Sequence, residues 1–193
     1  MQDDTYFARL VSLACHDVRT PLATVHGFAL TLMRTAELAP PTDRYVEMIG
    51  QASAQMAELL DELALVARIE ARRYEPALRD ADTLALAHAA AERLGDDHVH
   101  VSGEGAIVAT DTEAVDRGFS ALVQAALRHG GLEEVNVLVR GTELDVSPIT
   151  EPSAPVVLGQ DLRDLGAAVA VRVVEHLGGS VGVAGDTLTV RLA

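Results

Sequence analysis

The sequence predicts an α+β protein in two parts: an N-terminal antiparallel helical hairpin, then a sheet covered by helices on one face. Two observations carry this. Apolar residues recur every three or four positions along two long segments separated by consecutive prolines, and beyond "ARRYEPALRD" short alternating runs interleave with amphipathic helices. The hairpin is placed at residues 1–72 and the second domain at 78–193, with a linker near 70–78.

The first helix is read from Thr5 to about Thr35, on the stripe Phe7, Leu10, Ala14, Val18, Leu22, Val25, Ala29 and Leu32. The stretch "AELAPPTDR" ends it, because two prolines cannot continue a helix, and Thr42 or Asp43 can cap the next one. The second helix follows the alternating steps of a heptad through Tyr45, Ile49, Ala52, Met56, Leu59, Leu63 and Val66. One hairpin buries such faces poorly. A second copy completes a four-helix bundle by dimerisation, so a homodimer is expected; the alternative is packing against the rest of the same chain.

The second domain reads as a helix (about 82–94), strands "HVHVSG" and "AIVAT", a helix (111–129) and strands "EVNVLVR" and "ELDVSPI". A Pro-rich irregular segment follows, then a helix (about 160–177) and a closing hairpin, "SVGVAGDTLTVRL". Runs of antiparallel strands mixed with helices suggest a sandwich of one sheet and one helical layer.

Composition narrows the function classes. The 193 residues carry 29 acidic against 15 basic side chains, a formal charge of -14, which disfavours nucleic acid and anionic membranes as partners. Cys15 is the single cysteine, so no disulfide closes within the chain, as suits a reducing compartment. The opening "MQDDTYFARL" has no basic n-region, and no segment reaches the roughly 18 apolar residues of a membrane span, so a soluble cytoplasmic protein is expected.

Chemistry concentrates in "ACHDVRTPL", residues 14 to 22. On a helix His16 lies about 200° from Ala14 and Val18, off the apolar stripe, and shares its face with Arg9, Ser12, Thr20, Ala23 and Gly27. These small or polar neighbours leave the imidazole open to a large partner. A neutral imidazole is a good nucleophile toward phosphorus, and the adjacent Asp17 can accept its other ring N–H and fix the tautomer. Pro21 removes the bond to the Asp17 carbonyl, so the helix is expected to kink or loosen there. Spacing alone is equally satisfied by an exposed surface histidine.

The run "HDVRTPLATVHGFALTL" resembles the phosphoacceptor box of two-component sensor histidine kinases, with six box positions matching in register. The resemblance implies that His16 is the phosphorylated residue, that Asp17 orients and activates it, and that Thr20 helps position a water for dephosphorylating a partner's aspartyl phosphate. Arg9, Ser12, Arg19, Pro21, Ala23 and Gly27 are then the surface met by that partner, a response-regulator receiver domain.

The second domain resembles the kinases' ATP-binding domain in outline but departs from its chemistry. Aligned on the family's Mg²⁺-binding helix, "LVQAALRH" puts Ala125 where an asparagine belongs. After "ELDV" comes "SPITEP", without the glycines of the adenine-reading box, and in the last box Gly166 alone survives while Asp164 stands for another glycine. The segment between Ser147 and Gly166 is too short for a usual ATP lid. His129 and Gly130-Gly131 fit an ordinary helix end.

Other candidates weigh less. "DDHVH" offers Asp96, Asp97, His98 and His100, which fit a solvated strand face better than a metal site. His26 reads as a helix-surface residue, Cys15 diverges from His16 by about 100°, and "ELLDEL" reads as the wet face of the second helix. The expectation is a histidine phosphotransferase that relays a phosphoryl group between receiver aspartates. It has no intrinsic cofactor, Mg²⁺ arrives with the receiver, and the degenerate domain serves as a docking or packing module. The alternatives are an autophosphorylating kinase with a divergent nucleotide site, a receiver-binding scaffold that carries no phosphate, and a phosphatase.

Overall fold

A computed structural model describes residues 2–35, 38–95 and 97–193. Asp96 and part of the "AELAPPTDR" break therefore lie outside the described residues. The chain divides into two compact units, Met1–Tyr74 and Glu75–Ala193.

The first unit is a pair of packed helices, α1 (Gln2–Thr35) and α2 (Thr42–Glu70). Helix α1 continues through Pro21 without interruption. The proline therefore removes one backbone donor, to the Asp17 carbonyl, and does not end the helix. At the start of α2 the cap position is Pro41, which makes no side-chain bond, so neither Thr42 nor Asp43 is the cap residue expected; from inside the first turn Asp43 Oδ1 accepts from Arg44 N at 2.7 Å. Asp43 lies in the first turn, where its charge complements the helix dipole.

The seam between the helices is not the predicted one. Ala8, Cys15, Leu22 and Ala29, seven residues apart, are buried on α1; Val46, Gly50, Ser53, Ala67 and Ile69 are buried on α2. Of the stripe expected to be buried on α1, Leu22 and Ala29 alone belong to this seam. Phe7, Val18 and Val25 stay 66%, 50% and 47% exposed, and on α2 Tyr45, Ile49 and Met56 stay 58%, 48% and 48% exposed. Small side chains explain the choice, since they let the backbones approach: a Cβ on Gly50 would lie 3.4 Å from Met33 Cε and 3.9 Å from Ala29 Cβ. The larger apolar residues are left on a continuous outer arc of each helix.

His26, expected on the helix surface, is half-buried in the seam. Its Nδ1 lies 2.9 Å from Ser53 Oγ and 3.2 Å from the Gly50 carbonyl, to which Ser53 Oγ also donates at 2.9 Å. A carbonyl can only accept, so Nδ1 carries the proton. On the helix wheel His26 lies about 20° from Cys15, a residue of the α1 seam, which accounts for its burial.

The second unit holds β1 (Leu78–Asp82), α3 (Thr83–Leu94), β2 (Val99–Gly105), β3 (Ile107–Asp111) and α4 (Thr112–Gly130). It continues with β4 (Val135–Gly141), β5 (Glu143–Ser147), α5 (Ala154–Val157), α6 (Leu165–His176), β6 (Ser180–Ala184) and β7 (Thr187–Arg191). The main sheet runs β2-β4-β5-β7-β6, and β1 pairs with β3 in a separate two-stranded sheet. The β6–β7 hairpin turns where Gly185 takes a φ of 62°. Val135, Val137, Val139, Leu144, Val146, Leu188 and Val190 form the buried face of the sheet, and α4 packs between α3 and α6.

Three features differ from expectation. Strand β1, between the predicted linker and the first predicted helix, is absent from the predicted elements, because "LRDAD" is polar and four of its five residues are exposed; its pairing is made by backbone. Strands β2 and β4 are parallel, since the intervening β3 and α4 carry the chain back before β4 begins. The last long helix starts at Leu165, later than predicted, and the short α5 precedes it.

Three helices of this unit are capped by aspartate. Asp82 accepts from Leu84 N, Asp111 from Ala114 N and Asp164 from Ala167 N, at 3.0, 3.3 and 3.1 Å. Asp164 does more, because its Oδ2 lies 3.1 Å from His129 Nε2 and 3.5 Å from Arg128 Nη1, tying the end of α4 to the start of α6.

Two consequences can be measured. Gly50→Leu should force the hairpin seam apart at a cost of about 1–3 kcal/mol, seen as a lower urea midpoint at fixed protein concentration. Asp164→Ala should cost about 1–2 kcal/mol through loss of the α6 cap, whereas an unchanged midpoint would show that solvent replaces the carboxylate without penalty.

Candidate functional site

His16 stands on the exposed side of α1. Its Nδ1 lies 3.2 Å from Asp17 Oδ1, and the two side chains are 75% and 67% exposed. A carboxylate accepts and cannot donate, so the bond requires Nδ1–H and leaves the Nε2 lone pair facing solvent. The seam accounts for this: Cys15 points into it, 3% exposed, and the next residue is turned about 100° away. Burial of Cys15 also separates its thiol from the imidazole. The open arc of Phe7, Val18 and Val25 lies on the far side of the helix from His16.

The face expected around His16 is present. Arg9, Thr20, Pro21, Ala23 and Gly27 are exposed, and Ser12 is partly so. A Cβ on Gly27 would meet nothing within 4 Å, so the surface there is open to another molecule. The Thr20 carbonyl accepts from Thr24 Oγ1 at 3.2 Å, which leaves the Thr20 hydroxyl outside that bond.

Arg19 is different from its neighbours. Its guanidinium is ion-paired across the hairpin with Asp61 of α2, at side-chain exposures of 44% and 49%. Asp61 belongs to the "ELLDEL" run read as wet surface, and sequence reasoning did not select it. Antiparallel register was the available signal: with Ala29 beside Gly50, moving ten residues back along α1 and eleven forward along α2 brings Arg19 to Asp61.

In the second unit, Ala125 is wholly buried in α4. At the N-terminus of α6 the Asp164 carboxylate accepts from one backbone amide, that of Ala167. Residues Ser147 to Gly166 are occupied by the end of β5, the short α5 and that cap. The side chain at 125 offers no oxygen to a Mg²⁺ ion.

The candidate metal ligands are engaged elsewhere. His98 Nδ1 lies 2.7 Å from the Glu133 carbonyl and His100 Nε2 is 3.0 Å from Glu134 Oε2. Among the described residues no group of three or more His, Cys, Asp or Glu is placed to hold a metal ion. Nor, among them, is any helix long and apolar enough to cross a membrane.

Comparison with known proteins follows the same division. Residues 8–72 match the His Kinase A (phospho-acceptor) domain. The chain is 30% identical over 119 residues to the sensor histidine kinase TrcS of Mycobacterium tuberculosis, covering 55% of this chain and 23% of that protein. It is 32% identical over 71 residues to the histidine protein kinase DivJ of Caulobacter vibrioides, covering 35% and 12%. The chain thus spans less than a quarter of the curated relatives it matches. Among solved structures, full-length ShkA, crystallised in complex with AMPPNP, shares the fold with a TM-score of 0.69 at 19% identity, covering 94% of this chain and 44% of that one. An exposed histidine held by a neighbouring carboxylate thus stands on the first helix of a hairpin that matches the phospho-acceptor domain of histidine kinases.

Proposed function

We propose that the chain is a cytoplasmic, dimeric histidine phosphotransferase that carries a phosphoryl group on His16 between receiver-domain aspartates. The observation that carries the reading is the exposed His16–Asp17 pair. Nε2 attacks the phosphorus of a receiver's aspartyl phosphate; the N–P bond forms as the acyl O–P bond breaks, and the receiver's carboxylate leaves. Nδ1 keeps its proton, so the phosphorylated ring is cationic, and Asp17 offsets that charge. The reverse step delivers the group to a second receiver. Mg²⁺, where the receiver brings it, would supply charge neutralisation; this chain supplies the nucleophile, its orientation and an open face formed by Arg9, Ser12, Ala23 and Gly27. Thr20 is assigned the placing of a water when the receiver is dephosphorylated.

The outer arcs of α1 and α2 support dimerisation, because exposed Phe7, Val18, Tyr45 and Met56 on a chain with charge -14 are best covered by a second apolar copy. Buried Ala125 and the Asp164 cap support transfer without ATP. The second reading, autophosphorylation, is favoured by the names of the relatives, both histidine kinases.

Transfer from a phosphorylated receiver should be abolished by His16→Gln and slowed about 100-fold or more by Asp17→Asn, as expected for loss of an orienting base. Receiver-to-protein label transfer followed on gels measures both. Labelled ATP with Mg²⁺ should leave the protein unlabelled when no other protein is present; label on His16 would establish the kinase reading instead.

A further inference from the structure

We infer that Arg19 is a phosphate-holding residue that exchanges partners: it pairs with Asp61 while His16 is bare and turns to the phosphoryl group once His16 carries it. The inference rests on the phosphotransfer reading and adds to it a contact that reports the state of His16 to α2.

Four observations support it. Arg19 follows His16 by three residues, which on a helix brings their Cβ atoms to about 5–6 Å, within the span of an arginine side chain. The Arg19–Asp61 pair is about half exposed on both sides, so its net stabilisation is small and it yields to a better partner. A phosphoryl group brings about -1.5 to -2 charges and three acceptor oxygens where Asp61 offers one charge, and a guanidinium meets it with two parallel N–H donors. Asp17 already bonds the His16 ring, so the phosphoryl group arrives beside a carboxylate that repels it. A cation one turn along the helix relieves that repulsion.

The exchange alters the hairpin as well as the site. With His16 bare, the pair ties α1 to α2 beside the phosphoacceptor. With His16 phosphorylated, Asp61 is released and that tie is lost, so the surface presented to an emptied receiver differs from the one presented to a loaded one. Asp61 thereby becomes a determinant of direction, although it does not touch phosphate.

The test uses the full chain and potassium phosphoramidate as donor. Nε2 forms the N–P bond as the donor's own P–N bond breaks, its nitrogen leaving as ammonia. The phosphoryl signal of His16 is then titrated with pH by phosphorus NMR in the wild type, Arg19→Gln, Arg19→Lys and Asp61→Asn. A nearby guanidinium favours the dianion, so Arg19→Gln should raise the second phosphoryl pKa by about one unit, with Arg19→Lys restoring part of the shift. Asp61→Asn, which frees Arg19, should lower it below wild type. Coincident titrations of wild type and Arg19→Gln, or no change in Asp61→Asn, would overturn the exchange while leaving the relay intact. Failure of wild-type His16 to take the group would overturn both.

Discussion

The small-residue seam between α1 and α2 is the constraint on which the placement of His16 depends. Ala8, Cys15, Leu22 and Ala29 recur every seven residues and meet an α2 face opened by Gly50 and Ser53. Close backbone approach selects this face over the bulkier stripe beside it, because side chains such as Phe7 and Val25 would hold the helices apart. That choice sets the rotation of α1 about its own axis. Once Cys15 is turned inward, His16 must face out and Arg19 must lean toward α2. The half-buried His26, bonded to Ser53 and the Gly50 carbonyl, adds a directional contact to a seam otherwise made of dispersion.

The same rotation divides the hairpin into faces of different character. One arc is polar and small around His16, where a large partner can approach. The opposite arc is apolar and open, which suits a second copy of the hairpin.

The second unit keeps the architecture of a kinase nucleotide domain while its polar groups serve the fold. Asp164 is an example: its carboxylate caps α6 by accepting from Ala167 N and binds His129. Asp145 behaves similarly. It lies on the sheet face away from the buried valines, yet is only 4% exposed, held by Arg140 and by Thr189 Oγ1 at 2.6 Å. A buried carboxylate needs such partners, and here they come from neighbouring strands.

Local chemistry was legible in the residues themselves. Periodicity located both long helices and most elements of the sheet domain, since burial of one face imposes a repeat of about 3.6 or 2 residues. The box "HDVRTPL" placed His16 beside Asp17 because adjacency in the chain guarantees proximity. What sequence could not decide was everything that depends on which surfaces touch. Periodicity reports that a helix has an apolar side but not which of two adjacent stripes packs closely, so the seam, the burial of His26 and the Arg19–Asp61 pair were missed. Strand β1 escaped for a related reason: its pairing is made by backbone, which every residue carries, and its side chains are mostly wet. The sequence by itself determined most of the elements and the adjacency of His16 and Asp17. The tertiary structure alone decided the rotation of α1, because that rotation follows from how closely two backbones can approach, a property of the pair of helices and not of either one.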